Sequence, residues 1–358
     1  MPDDERFPSR VPAKALHAFA GRALVAAGLG TTHADEVATT LVDADLLGYT
    51  THGVGLLPMY VRQLRSGQMR SQGTIEVLRQ GHAHALLDGS MLPGPVVLRH
   101  AVRLALELAA DEPVVTIVIR RTANTACLAT YLPCIAQRGL ISSLQVGNPD
   151  NRAVAPPGTG RAAYGTDPIA FCAPTRGDPV LIDFATSATT NRMTERARRS
   201  GEPLPFEALV DAAGRPCADA AVLDAEPPGA LAPLGAPHAP HKGFALAMWV
   251  ELLTGCLGGA GRLALHRHEP AVGSTSLLQV IDPEFFAGRE RFLDEAQTLM
   301  DSLQRLPNGE ASGARLPGQR AFARRREQLA SGIELHPDLP PLLESLARQL
   351  DVEPPTAR

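Results

Sequence analysis

What this chain has little of is as informative as what it carries. Aromatic residues fill only 4% of its 358 positions, with a single tryptophan, Trp249, so the core must be built mostly from Leu, Val and Ala. The five cysteines, at 127, 134, 172, 217 and 256, form no CxxC pair and are odd in number. That usage argues against a disulfide framework and fits a reducing compartment. No stretch of about 18 uninterrupted apolar residues occurs, so a membrane-spanning helix is not expected. The N-terminus, MPDDERFPSR, is acidic and polar with no apolar signal segment, and the expected location is the cytoplasm. A formal net charge of -4 supplies no general attraction for nucleic acid. Nucleotide fingerprints are missing as well. No GxGxxG follows a strand and opens a helix, and no GxxxxGKS/T is present, so neither a conventional dinucleotide fold nor a P-loop is indicated.

What remains is a globular composition, 44% hydrophobic and 20% charged, in a chain too long for one typical core. Residues 1–85 read as mainly helical. Pro12 to Leu29 has helical spacing, and the next helix is expected to open on a capping box, Thr32 with Asp35, and to run toward Leu47. Leu56 to Leu64 is a third helical piece, ended by Gly67. Residues 86–288 alternate differently. Apolar runs at 114–119, 140–146, 169–173, 179–185 and 276–282 are predicted strands, with helical patterns at 96–110, 130–137 and 244–257 between them. That alternation predicts an α/β core. Helical patterns near 289–306, 320–330 and 340–350 finish the chain and are expected to join the N-terminal region.

Few residues stand out for chemistry. His52 lies in Asp45 to Gly67, DLLGYTTHGVGLLPMYVRQLRSG, where glycines at 48, 53 and 55 break the helical pattern. A histidine in an interhelical turn is either structural or presented to a cleft, where its imidazole titrates near neutral pH. Asp183 ends the apolar run VLI before AlaThrSer, so it either caps the following segment or faces a site at a strand's C-terminal end. His241-Lys242-Gly243 precedes a predicted helix start at 244, a place suited to an anion such as pyrophosphate. His266 and His268 have no third ligand nearby and read as a solvated loop, and GlyGlyAlaGly at 258–261 reads as a helix terminator. No metal is expected.

Ten segments in order resemble one family. They are THGVGLLPMYVRQLRSG (51–67), LLDGSMLPGPVV (86–97), RGLIS (138–142), GTDPIAF (165–171), VLIDFATS (180–187), GEPLP (201–205), DAAGRP (211–216), LAPLG (231–235), HKGFALAMWVELLTG (241–255) and RLPGQR (315–320). Together they are similar to the malate/L-lactate dehydrogenase-like, or sulfolactate dehydrogenase-like, NAD(P)-dependent oxidoreductases, over roughly residues 12 to 335. The resemblance implies a non-Rossmann α/β fold with a large mixed sheet, NAD or NADP as cofactor, and a homodimer. It also implies a small-molecule substrate, a 2-oxo acid, cyclic imino acid or related compound, reduced at C=O or C=N or oxidised in reverse. On this resemblance His52 is the general acid/base, with Thr51 beside it in place of the usual serine. The cofactor-binding residues it implies are Asn124, Val180, Leu181, Ile182, Asp183, Phe184, Ala185, His241, Lys242, Gly318, Gln319 and Arg320.

Three positions depart from the family pattern. Leu56 stands where an arginine is common, Asn124 where a second histidine is common, and Asp167 where GTNP carries asparagine. Two or three of these changes cluster on the substrate side. Two readings therefore stay open: an altered substrate, or a member that keeps the fold and cofactor binding without catalysis.

Overall fold

The computed structural model describes residues 7–261, 273–308, 311–312 and 314–355. His266 and His268 lie outside the described residues. The chain opens with a helical layer: α1 (Ala13–Ala26), α2 (Thr31–Leu47) and α3 (Leu57–Ser66). Both α2 and α3 stop at glycines with left-handed backbone, Gly48 at φ 89 and Gly67 at φ 76, a conformation that other residues adopt only with strain.

The expected capping box at Thr32 does not form. Gly30 is the N-cap of α2 and no side chain caps the helix. The extended backbone of Gly30 lets the helix start at Thr31, which leaves Thr32 inside the first turn, too late for its hydroxyl to cap.

Next come β1 (Glu76–Gln80), β2 (His84–Asp88), α4 (Gly94–Leu108), β3 (Val114–Thr122), β4 (Ile141–Gly147), β5 (Ile169–Ala173) and β6 (Val180–Phe184). After these follow α5 (Asn191–Ser200), α6 (Pro240–Glu251), β7 (Ser274–Ile281), α7 (Arg289–Gln304), α8 (Gln319–Ser331) and α9 (Leu339–Leu350). One seven-stranded sheet runs β1-β2-β3-β7-β4-β5-β6. It is mixed: β2 pairs with β3 in parallel, and the other neighbours are antiparallel. A parallel pair needs a crossover, and α4 supplies it by lying between β2 and β3 in sequence. Its buried Val97, Leu98, Ala101 and Ala105 share a core with Val115, Ile117, Ile119, Leu278 and Val280 of the sheet. At about 1.5–3 kcal/mol for each large apolar side chain, such rows hold the layer together.

α6 starts at Pro240, not at 244, so His241 and Lys242 belong to its first turn. Proline suits that first position because its missing N–H has no helical partner there.

A second apolar core belongs to the helices. It joins Leu16 and Phe19 of α1, Leu41 of α2, Leu57 and Tyr60 of α3, and Leu343 and Leu346 of α9. α2 is shared, because its Ala44 and Leu47 face the sheet core while Leu41 and Leu46 face the helical one. α8 is fastened to the end of α2 by Gln328, whose amide donates to the carbonyls of Asp45 (2.8 Å) and Leu46 (3.1 Å). α7 reaches the sheet instead: Arg176, in the turn between β5 and β6, pairs with its Glu290 and Asp294. The edge strand β6 and the end of α2 are thereby both held by the C-terminal helices, and the site lies where these two meet.

Candidate active site

A cleft of about 610 Å³ separates the turn after α2 from the edge strand β6. It draws together Thr51, His52, Asn124, Asp183, Phe184 and Ala185 from the sequence-derived candidates. Leu56 lines it too.

The His52 wall is built from a buried carboxylate. Asp45, in the last turn of α2, is 2% exposed and accepts a hydrogen bond from the Val54 backbone N–H at 2.8 Å. A Cβ on Gly53 would sit 2.1 Å from its Oδ1, so only glycine fits between Asp45 and the histidine turn. Burial pushes the Asp45 carboxyl up to about 7, against the pull of the Val54 hydrogen bond and of Arg196 and Arg324. His52 thus rides on a turn tied down on both sides, to Asp45 through Val54 and to Tyr49 through its own N–H (2.9 Å). Its Nδ1 is hydrogen-bonded to Thr51 Oγ1 at 2.8 Å, which leaves Nε2 for a ligand. Burial, reinforced by the nearby Arg192 charge, lowers His52 to about 4. The imidazole is therefore neutral at pH 7.

Across the cleft, Asp183 accepts from the Ala129 backbone N–H at 2.8 Å and from the Cys127 thiol at 3.6 Å. Its carboxylate therefore organises the 127–130 turn and does not cap the segment that follows it. Burial raises it to about 6. Tyr49 spans the gap between the walls: burial and then the Asp183 charge push its hydroxyl up, so it stays protonated. Asn124 is fixed in place, its Oδ1 accepting from Ala126 N (2.9 Å) and its carbonyl from the Tyr60 hydroxyl (2.7 Å). Asp167 is buried at φ 35, between the cleft residues Thr166 and Pro168. A short polar side chain tolerates that left-handed backbone, which is why aspartate can stand where asparagine is usual.

The third wall is α5. Thr190 caps it, accepting from Met193 N at 3.3 Å. Arg192 then donates to the Gly55 carbonyl at 2.7 Å and pairs with Glu195 at 2.9 Å, and Arg199 pairs with the same Glu195 at 2.9 Å. Arg62 of α3 also lines the cleft, whereas Arg65 does not. Sequence reading did not single out Tyr49, Arg192 or Arg199, and it left open whether Arg62 or Arg65 stands in for the arginine expected at 56. A signal for part of this set existed: in NRMTERARR the arginines at 192, 196 and 199 share one helical face.

The remaining candidates sit elsewhere. Gly318 and Arg320 line an adjoining cavity of about 530 Å³ with Tyr49, Arg315 and Arg324. Gly318, at φ 87, lies so close to β6 that a Cβ would come within 2.8 Å of Leu181 N. The C-terminal PG segment thus leans on the edge strand. Val180, Leu181, Ile182, Gln319, His241 and Lys242 line neither cavity. The α6 start nevertheless adjoins β6: Gly243 N–H donates to Leu234 O, and Leu234 N–H donates to Thr186 O.

Two adjoining cavities that share Tyr49 suit an extended ligand. Arg315, Arg320 and Arg324 make no ion pair among the described residues, so the second cavity offers free guanidinium donors for phosphate groups. That donor set fits a dinucleotide. No group of three or more metal-ligating side chains is found among the described residues, and none of their helices is long and apolar enough to cross a membrane.

Known proteins agree on the fold and its chemistry. A family model described as malate/L-lactate dehydrogenase matches residues 11–343. Over 312 residues the chain is 33% identical to a (2R)-3-sulfolactate dehydrogenase (NADP(+)) of Chromohalobacter salexigens, covering 86% of this chain and 89% of that one. Over 329 residues it is 32% identical to a Delta(1)-pyrroline-2-carboxylate reductase 2 of Burkholderia multivorans, covering 89% and 92%. The solved malate dehydrogenase from Pyrococcus horikoshii OT3 matches with a TM-score of 0.86 at 28% identity, covering 98% of each chain. The mixed seven-stranded sheet is therefore the fold of these enzymes, and the protein is a dehydrogenase or reductase of hydroxyl or imino groups that uses NAD or NADP. The chain belongs to the malate/L-lactate dehydrogenase family.

Proposed function

We propose that the protein reduces the C=O or C=N bond of a small 2-oxo acid, cyclic imino acid or related compound, or runs the reverse oxidation, with His52 as general acid/base. The observation that carries this reading is one cleft holding His52 Nε2, with Nδ1 already occupied by Thr51, opposite the Asp183–Ala185 segment. Bound NAD(P)H supplies the hydride. The chain handles the proton: in oxidation neutral His52 takes it from the hydroxyl or amine as hydride leaves, and in reduction His52 first takes up a proton from solvent and then gives it to the oxygen or nitrogen that becomes anionic as hydride arrives. Its low pKa makes it ready as a base, the form that oxidation needs first. Asp183, Phe184 and Ala185 flank the cofactor in this reading, Asn124 borders it, and Gly318 and Arg320 face the phosphates with Arg315 and Arg324. Val180, Leu181 and Ile182 form the strand behind, with Gln319 in the PG segment and His241 and Lys242 at the α6 start.

The protein acts as a cytoplasmic homodimer on this proposal. Exposed Leu246, Trp249, Leu252 and Leu257 on and just after α6 supply an apolar surface for a second copy.

The test is purified protein with NADH or NADPH and a panel of 2-oxo and cyclic imino acids. Turnover is expected with at least one, and His52→Ala is expected to lower it by about 10²–10⁴-fold. Undiminished turnover in that variant would remove His52 from the role. Leu56 in the cleft favours a second reading, a cofactor-binding member without catalysis. A thermal shift with cofactor but no turnover across the panel would support it.

A further inference from the structure

We infer that Arg192 is the residue that recognises a carboxylate on the substrate, holding it against the turn that carries Gly55 and Leu56. This rests on the reductase reading and adds the group that selects the substrate.

The cleft offers three cations, Arg62, Arg192 and Arg199. Arg62 is exposed, and the Arg199 side chain is 52% exposed, against 29% for Arg192. A charge-assisted hydrogen bond gains strength as water is withdrawn, so the least exposed guanidinium is the strongest partner for an anion. Arg192 is also the best aimed. Its Nη2 is anchored on the Gly55 carbonyl at 2.7 Å and its Nη1 on Glu195 at 2.9 Å. Of its five N–H donors, three have no partner among the described residues, and the two anchors fix the plane in which those three are offered. Glu195 divides its charge between Arg192 and Arg199, so the cluster keeps a net positive charge for an incoming anion.

Position decides what that anion is. Arg192 lines the same cleft as His52 and is bound to the Gly55 carbonyl, three residues after the histidine on the same turn, which places the guanidinium near the proton-transfer imidazole. In a 2-oxo or 2-imino acid the carboxylate is one bond from the reacting carbon. A cation beside the general acid is where such a carboxylate lies when the carbonyl oxygen or imine nitrogen meets His52. The next residue on that turn, Leu56, lines the cleft with an apolar side chain and supplies no competing cation. An arginine at 56 would start from the turn that Arg192 already touches, at a position that lines the same cleft.

The test uses oxamate, a non-reducible 2-oxo acid mimic, and its uncharged ester methyl oxamate, titrated by calorimetry into protein saturated with NADH or NADPH. Arg192→Ala is expected to weaken oxamate binding by about ten- to a hundredfold, the loss of one hydrogen-bonded charge, while methyl oxamate and cofactor affinity stay unchanged. Leu56→Arg added to that variant is expected to restore most of the oxamate affinity. The inference is overturned if wild-type protein binds no oxamate, if Arg192→Ala binds it equally well, or if oxamate and methyl oxamate weaken together. The last result would mark Arg192 as merely structural. Arg192-dependent oxamate binding with no turnover of any panel substrate would sink the reductase reading and leave this one standing. Turnover of a 2-oxo acid with unchanged KM in Arg192→Ala would do the reverse.

Discussion

Two carboxylates hold the walls of the site, Asp45 buried and Asp183 partly exposed, and they do the same local job with different consequences. Asp45 accepts the Val54 N–H and holds the His52 turn; Asp183 accepts the Ala129 N–H and holds the 127–130 turn. Each is pushed up by burial, Asp45 to about 7 and Asp183 to about 6. The difference lies in what covers them. Asp45 is closed off by Gly53 and lines neither cavity of the site, whereas Asp183 lines the cleft together with Tyr49. A backbone-holding carboxylate is thus a general device for fixing a loop, and only the one left open to the cleft can also meet a ligand.

The strongest way to break that comparison is to fill the seal. Gly53→Ala puts a methyl 2.1 Å from Asp45 Oδ1, so the carboxylate that accepts the Val54 N–H has to shift. Overpacking costs about 1–3 kcal/mol and a displaced buried hydrogen bond about as much again. A fall in urea midpoint together with a loss of turnover is expected, because the same turn carries His52. Ala129 on the Asp183 side already carries its methyl, so Ala129→Gly should be far milder.

Asp45→Asn tests the charge alone, because the amide oxygen can still accept from Val54. In the folded protein Asp45 keeps its proton from its ordinary value of 3.8 up to about 7, while the unfolded chain loses it near 3.8. The folded state binds more protons in that window, so stability falls as pH rises through it and levels off above 7. The gap corresponds to about 4 kcal/mol of ionisation cost. The variant is therefore expected to be more stable than wild type at pH 8 and to match it near pH 4, in urea denaturation at each pH. Equal curves at pH 8 would mean that Asp45 ionises freely. His52 works in the opposite direction in both proteins, since its lowered value removes stability as pH falls from 6.5 toward 4.

This pairing also marks where the sequence was legible. IAFCA and VLIDF announced β5 and β6 because apolar runs bracketed a polar turn, and the structure has strands at Ile169–Ala173 and Val180–Phe184. The α6 start was placed at 244, with His241-Lys242-Gly243 ahead of it, whereas the helix begins at Pro240 and includes Gly243. That position is glycine for a tertiary reason, as a Cβ there would lie 2.4 Å from Leu234 N. His52, Asp183 and Ala185 share a cleft; Ala185 entered through family resemblance, and His52 and Asp183 already stood out in the sequence. Tyr49 and Arg192 did not, since nothing local tells a tyrosine after Gly48 that it will face Asp183, or an arginine at 192 that it will reach Gly55. Asp45 was legible only as a polar residue near a helix end. Its backbone carbonyl accepts from Gln328 of α8, nearly 300 residues further along the chain, a contact that no local pattern announces.

The smallest expected stability effect belongs to Asp183→Asn, and it separates the two carboxylates most finely. Its window runs only from 3.8 to about 6, which corresponds to about 3 kcal/mol of ionisation cost, less than for Asp45. An amide oxygen can still accept from Ala129, so the 127–130 turn should hold and the urea midpoint at pH 8 should rise, by less than in Asp45→Asn. Function should respond differently. Asp183 lines the cleft and Asp45 does not, so Asp183→Asn is expected to raise the KM for NADH or NADPH several-fold while Asp45→Asn leaves it unchanged. Steady-state kinetics of both variants at pH 8 decide the matter. If the two shift cofactor KM alike, Asp183 only holds its turn, as Asp45 does, and the open side of the comparison carries no ligand.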